Sequence, residues 1–329
     1  MENRVESLRR EAPELEVDTP KRKRRKKPEL DGRRRKKKRR RRIILIILAV
    51  ILLVVGLFLG NIYRRASVAF NRMFEPLEST NIREDRLRLG RDSFSILILG
   101  LDEGRADSIM VATVSRRERS TYLLSIARDT RVEIPGHGVT RINHAYAYGG
   151  IDLMANTVQD FLNIPIDYHM SLYMGQFHQL VDAFGGVRVH NDTVAFSMGG
   201  YDFPLGYVNL TGSSAYYYVR MRFDDPRGDF GRQERQRDVL GAMANELAGP
   251  TLITRHQQIL DSVGDHLRTS ITLNDTIWMT LRYHRALRNI TNLYMLAPGQ
   301  IENGMYLIAI PEDQRLAMSN RLRSHLGLD

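Results

Sequence analysis

The sequence predicts an α/β domain of the α/β/α kind, a mixed central sheet flanked by helices, preceded by a single transmembrane helix. Three observations carry this. An unbroken apolar run of 18 residues, Ile43–Gly60, stands near the N-terminus. Beyond it, short runs rich in β-branched residues alternate with segments of helical periodicity. Several of the apolar runs end in loops that carry glycine and charge, as at Gly100–Asp102.

In chain order, residues 1–42 are polar, with 20 of the 49 basic residues and 8 of the 38 acids. A segment with so little to bury is expected to be disordered and cytoplasmic. Ile43–Gly60 rises ~27 Å as a helix, close to a bilayer core, and residues 43–63 complete the crossing. A cleaved signal peptide is the competing reading. Its apolar part is usually shorter, and no small-residue cleavage motif follows directly. The basic run before Ile43, against only Arg64 and Arg65 after it, predicts a cytoplasmic N-terminus and an extracytoplasmic domain. Residues 64–92 read as a charged, partly helical stem, and 93–329 as the folded domain.

Within that domain the predicted strands are Phe94–Leu101, Ile109–Val114, Tyr122–Ile126, Tyr168–Tyr173, Val187–Val189, Leu293–Leu296 and Met305–Ile310. The predicted helices are Ile151–Leu162, Phe177–Phe184, Ser213–Met221, Arg232–Leu247, Ile253–Leu267 and Leu273–Leu287. Gly185-Gly186 and Gly249-Pro250 supply stops.

Composition excludes several chemistries. There is no cysteine, hence no disulfide, thiolate nucleophile or Cys-based zinc site. The nine histidines show no HExxH spacing. The net charge of +11 belongs to the N-terminal segment, and the remainder holds 29 basic and 30 acidic residues. A nucleic-acid-binding fold is therefore not expected. The basic tail is expected to meet anionic lipid of the cytoplasmic membrane instead.

No lysine follows Arg42, so every later basic side chain is arginine (histidine aside). Arg220–Arg237 packs six arginines and four acids into 18 residues. Arginine offers planar, permanently charged forks that match phosphate oxygens in pairs. The stretch reads either as a polyanion site or as a solvated, salt-bridged helix face. Two other segments place charge at strand ends, Gly100–Ser108 and Ser125–Thr130. Loops of this kind converge in open α/β sheets, where carboxylates beside arginines and phosphate suit Mg²⁺.

The motifs LGLDEGRADSIMV, SIARDTRVEIPG, TRINHAYAYGG, FGGVRV and YVRMRFDDPRGDFGRQERQ, in this order within residues 93–245, resemble the LytR-CpsA-Psr family. The resemblance implies a Mg²⁺-dependent phosphotransferase. It would move a glycopolymer from an undecaprenyl-pyrophosphate carrier to a peptidoglycan acceptor through a phosphodiester. It also implies residue roles. Asp102 and Asp107 would sit at the metal. Arg128, Arg220, Arg222 and Arg232 would hold pyrophosphate, with Asp229 and Asp129 orienting them. Arg141 and Asn143 match the family pattern and would border the substrate, a turn or capping role being the alternative, and an acid near the metal would act as base. Arg105 reads either as a phosphate contact or as the neutraliser of the acid pair. In the Tyr216–Tyr218 run one ring, taken as Tyr217, reads as facing the substrate while the others pack. Arg235 and Arg237 read as helix-surface residues. A polyprenyl pocket would draw on Ile109, Val111, Leu153, Val158, Phe161, Phe177 and Leu180, which ordinary core packing explains equally. The loop between Asp102 and Asp107 is shorter than is common in the family. A polyprenyl-pyrophosphate pyrophosphatase and a non-catalytic envelope regulator are the alternative functions.

Overall fold

The computed structural model describes residues 30–78, 83, 87–247, 251–302 and 304–328. Most of the basic tail, with its expected disorder, lies outside the described residues, as do residues 79–82 and 84–86 of the stem and the Gly249-Pro250 stop. The chain forms two units, Met1–Phe58 and Leu59–Asp329. Helix α1, Leu30–Met73, begins within the basic segment rather than at Ile43. Lysine and arginine are good helix formers, and extending an existing helix avoids a new nucleation step. Its apolar stretch has the length and composition to cross a membrane and is not buried in protein. Within the second unit, Ala66, Ala69 and Met73 at the end of α1 are buried. There Arg72 pairs with Asp261 and Asp265 at 3.2 and 2.9 Å.

The remaining elements follow in order: β1 Phe94–Asp102, β2 Arg105–Ser115, β3 Ser120–Ile126, β4 Arg131–Ile134, β5 Gly138–Arg141, α2 His144–Leu162, β6 Tyr168–Tyr173, α3 Phe177–Phe184, β7 Val187–Asn191, β8 Phe196–Met198, β9 Tyr201–Phe203, β10 Gly206–Leu210, α4 Gly212–Tyr218, α5 Asp229–Leu247, α6 Thr251–His266, β11 Leu267–Thr269, α7 Leu273–Tyr283, β12 Ile290–Tyr294, β13 Gly299–Glu302, β14 Met305–Ile308 and α8 Glu312–Leu326. Six strands form the central sheet in the order β11-β6-β1-β2-β3-β12. β1–β6 and β3–β12 pair in parallel and the other neighbours antiparallel, so the sheet is mixed.

Alternation along β1 sorts its side chains between two layers. Leu97, Leu99 and Leu101 pack with Ile109, Val111, Leu124 and Ile126 under α2 and α8. Phe94 and Ile96 face the other way, against Met279 and Tyr283 of α7. A further apolar cluster joins α3, α4 and α5 to the β7–β10 ribbon. This is the α/β/α arrangement read from the sequence.

Several elements differ from expectation: β2 begins at Arg105, α2 at His144 and β12 at Ile290, each earlier than read, and β4, β5, β8, β9, β10, β11 and β13 were not expected. α4 stops at Tyr218, not Met221, because Arg235 takes the carbonyls of Tyr218 and Met221 at 3.2 and 2.6 Å. α7 ends at Tyr283, and a short 3-10 turn covers Ala286–Arg288. α8 was not expected: its sequence is mostly polar, and Leu322 and Leu326 are the residues it commits to the core.

Candidate active site

The site begins in the β1–β2 hairpin. Asp102 and Arg105 are register partners flanking the two-residue loop Glu103-Gly104. Both loop residues have positive φ, 47° and 77°. That is the backbone a tight, twist-matched hairpin requires. It suits Gly104 and costs Glu103, which a non-glycine residue accepts mainly where structure or function demands it. One step into the strands the register slips, with Gly100 opposite Ser108 and Leu101 opposite Ala106. Asp107 is the extra residue of a β-bulge. The packing records the same insertion: Ala106, Ile109 and Val111 all join one cluster although the first two are three apart. A bulge re-aims a side chain, and here it presents the Asp107 carboxylate to Arg128. Close approach underlies the bulge as well, since a Cβ on Gly100 would lie 2.9 Å from the Ser108 Cβ.

Arg128 follows β3 and meets Asp107 Oδ2 at 2.9 Å. Asp129 sits behind it, 3.7 Å from Arg128 Nε and 3.4 Å from an Arg141 Nη atom. Arg141 ends β5, and Asn143 stands at the N-cap of α2, where its side chain makes no capping bond. Its Oδ1 is buried and without a hydrogen-bond partner among the described residues. Arg220, after α4, meets Asp102 Oδ2 at 3.1 Å and donates to the Tyr216 hydroxyl at 2.7 Å. Together Asp102, Glu103, Arg105, Asp107, Arg128, Arg141, Asn143 and Arg220 line a cleft of ≈ 270 Å³. Four arginines against three acids leave it formally cationic, and the arginines come from four separated stretches of chain. Such a cleft can hold a multiply charged phosphate ligand.

His144 adjoins this cleft, with Nδ1 3.0 Å from Thr140 Oγ1. Burial, then the charges of Arg141 and Arg105, lower its pKa. At neutral pH it contributes a neutral imidazole.

Other expected site residues are placed elsewhere. Arg222 lies over the Phe223 ring at 5.9 Å, outside the cleft lining. Arg232 is buried and supports the cleft from beneath, donating to the Asp107 carbonyl at 3.2 Å. Asp229 opens α5, and its side chain lies outside those described. Tyr217 turns its ring toward Gly199 and Tyr201, away from the cleft, and Tyr216 is the ring that meets Arg220. The surface reading of Arg235 and Arg237 is overturned, for both are buried. Arg235 pairs with Asp225 at 2.6 Å, and Arg237 donates to Ser125 Oγ and the Tyr294 hydroxyl at 2.6 and 2.7 Å. The apolar pocket candidates divide, with Ile109, Val111, Leu153, Val158 and Phe161 in the sheet–α2 layer and Phe177 and Leu180 in the α3 cluster.

Glu103 and His144 were not expected at the site, and within the Tyr216–Tyr218 run the ring beside the cleft is Tyr216 rather than Tyr217. The D-E-G-R string was a legible two-residue hairpin signal that would have placed Glu103 at its tip.

Among the described residues no three His, Asp or Glu side chains gather as a metal cage. Asp102 and Asp107 nonetheless share one cleft. Mg²⁺ commonly takes one or two carboxylates and completes its shell with substrate phosphate and water. The donor set fits that mode of binding.

A family model, the LytR_cpsA_psr family, matches residues 63–324. The chain belongs to the LytR-CpsA-Psr family. A family member of Halalkalibacterium halodurans, the polyisoprenyl-teichoic acid–peptidoglycan teichoic acid transferase TagU, is 40% identical over 298 residues, 83% of this chain and 97% of that protein. The protein of the same name in Enterococcus faecalis is 36% identical over 283 residues, 83% of this chain and 92% of its own. Among solved structures, TagT bound to LI-WTA superposes with a TM-score of 0.65 at 28% identity, covering 77% of this chain and 99% of that one. The LytR-CPS2A-psr family protein YwtF (TagT) with bound octaprenyl pyrophosphate lipid gives 0.63 at 27% identity, with the same coverage. Kinship of this depth makes the chain an enzyme, a phosphotransferase of the LytR-CpsA-Psr family.

Proposed function

We propose that the chain transfers a teichoic acid-type glycopolymer from an undecaprenyl-pyrophosphate carrier to peptidoglycan. The observation that carries this reading is the cleft, where Arg105, Arg128, Arg141 and Arg220 converge on Asp102, Glu103 and Asp107. Four arginine forks provide fixed positive charge where negative charge accumulates on transferring phosphoryl oxygens. The names of the relatives supply the substrate class, for they act on polyisoprenyl-linked teichoic acid and peptidoglycan.

In this reading the acceptor hydroxyl oxygen bonds to the polymer-side phosphorus of the carrier. The bond from that phosphorus to the bridging oxygen breaks, and polyprenyl phosphate leaves. Arg128 and Arg220 hold the phosphoryl oxygens, while Asp107 and Asp102 hold those arginines in register. Glu103, which lines the cleft without an arginine partner among the described residues, takes the hydroxyl proton. Asp102 and Asp107 would hold Mg²⁺, which supplies charge neutralisation on the pyrophosphate when bound. Arg232 acts from below, through the Asp107 carbonyl.

In the same proposal α1 is a single-pass anchor, with the N-terminus cytoplasmic and the catalytic domain outside. The polybasic segment before its apolar stretch lies on anionic lipid. No nucleic acid is involved.

The test uses the full chain with lipid-linked polymer and Mg²⁺, with and without a glycan acceptor. Conjugate should form only when acceptor is present, and chelation should stop it. Equal phosphate release without any conjugate would identify a pyrophosphatase and overturn the transferase reading.

A further inference from the structure

We infer that the end of the domain remote from the cleft carries a docking face for an anionic phospholipid bilayer, built on α7 and the turns beside it. α7 is well specified as a helix. A reciprocal capping box joins Thr272 and Asp275 at its start, and Met279 and Tyr283 bury its inner side. The outer side is where a solvated helix carries polar residues. Here it presents Ile277, Trp278 and Leu281, which are 40%, 40% and 63% exposed. Leu287 and Ile290 continue the apolar row beyond the helix.

A basic collar surrounds this row. Arg282 lies over the Trp278 ring at 5.5 Å, and Arg285 and Arg288 follow, both exposed. From Thr276 to Ile301 the chain has no acid. Two neighbouring segments add charge. Tyr283 Oη accepts from Gly90 N at 2.9 Å and donates to the Asp92 carbonyl at 2.5 Å, which fixes the segment bearing Arg88 and Arg91. Thr121 donates its hydroxyl to the Ala286 carbonyl and its N–H to that of Asn289, at 2.9 and 2.8 Å. That ties in the β2–β3 turn with Arg116, Arg117 and Arg119. Among the described residues of these three segments, 87–92, 116–119 and 273–290, eight exposed arginines face three acids, Asp92, Glu118 and Asp275, the last engaged in the capping box. Asp92 accepts the Arg88 N–H at 2.7 Å, and Glu118 lies 3.8 Å from Arg117.

A soluble polyanion would use the arginines but has no use for the exposed Trp278–Leu281 row. A bilayer surface uses both. Its phosphates meet the arginines, and its acyl boundary receives the tryptophan and the aliphatic side chains. The apolar stretch of α1 would keep such a surface within reach of the domain, which raises the effective concentration of a weak contact. The face is separate from the catalytic cleft. β2 runs 11 residues from Arg105 at the cleft to Ser115 beside this collar, a span of ~35 Å at strand rise. Substitutions on α7 therefore leave the cleft lining intact.

Trp278 is the only tryptophan in the chain, so it reports on the face by itself. The full-length protein is reconstituted into vesicles of phosphatidylcholine alone or with phosphatidylglycerol, and its emission is followed. In the anionic vesicles we expect a blue shift, protection from acrylamide and quenching by brominated lipid. High salt and the triple variant Arg282→Gln/Arg285→Gln/Arg288→Gln should each reverse these changes. Leu281→Ser should weaken the lipid quenching while transfer in detergent stays at the wild-type rate. Equal emission and equal acrylamide quenching in the two vesicle types would overturn the proposal. So would a blue shift produced by soluble poly(glycerol phosphate) in detergent and unaffected by lipid charge, which would mark a polymer-binding face instead.

Discussion

Arg235 Nη1 lies 2.6 Å from Asp225 Oδ2, and the two side chains are 3% and 0% exposed. The same guanidinium takes the carbonyls of Tyr218 and Met221. Arg220 stands between those two residues, so one buried ion pair sets the path of the loop that delivers it to the cleft. Burial alone would raise the Asp225 carboxyl, but hydrogen bonds from Arg235 and Arg227 hold its pKa below the usual carboxylate value. Removing one partner strands a buried charge. Asp225→Ala should therefore cost about 3–5 kcal/mol of stability, read as a lowered urea midpoint at unchanged slope.

Arg128 is only partly buried, and its main partner is Asp107. Arg128→Ala should leave the unfolding midpoint near wild type while transfer to peptidoglycan falls ~10²–10³-fold, the usual loss for one preorganised charge donor. Arg128→Lys should recover little, because an ammonium cannot form the two-pronged contact. Wild-type-like transfer by Arg128→Ala would remove it from the site.

Glu103 combines a strained backbone with a place in the cleft lining. Glu103→Gly should relieve about 1 kcal/mol of left-handed strain and raise the melting temperature, yet lose transfer. Glu103→Gln should keep carrier binding and lower kcat by ~10²-fold or more. Unchanged kcat in both variants would move the base to another acid.

The bulge at Asp107 depends on the absence of a side chain at Gly100. Gly100→Ala would place its Cβ 2.9 Å from the Ser108 Cβ. A destabilisation of about 1–3 kcal/mol should follow, with transfer reduced through Asp107. Ser108→Gly in the same chain should restore both, which thermal melts and an activity assay would show.

His325 seats the end of α8 on the sheet. Its Nδ1 and Nε2 lie 2.8 and 3.0 Å from Thr113 Oγ1 and Ser120 Oγ, and its ring stacks on Tyr122. Burial lowers its pKa, with Glu118 acting against and Arg321 with that shift. The unfolded chain then binds the proton more readily than the folded one. The stabilisation is complete above the unfolded value of ~6.5 and is lost as pH falls below it. Unfolding midpoints measured from pH 7.5 to pH 5 should fall, and His325→Asn should flatten that slope.

Much of the architecture was legible because its signals are local. β1, β2, β3, β6 and α3 follow from short periodic runs and glycine stops. α8 escaped because few of its residues reach the core, so its sequence carries almost no apolar stripe. The members of the cleft were legible in part. Asp102, Arg105, Asp107, Arg128, Arg141, Asn143 and Arg220 line it, with Asp129 behind, whereas Arg222 and Tyr217 stand outside.

By itself the sequence determined the apolar helix, the all-arginine chemistry after residue 42 and the charged loops at the strand ends, because composition and short-range period suffice for these. Only the tertiary structure decided what each arginine of 220–237 does. Arg220 reaches the cleft, Arg232 braces it, and Arg235 and Arg237 are buried with partners 10 and 112 residues away. A charged side chain becomes a buried one only when distant groups replace its water, and those groups are brought together by the fold.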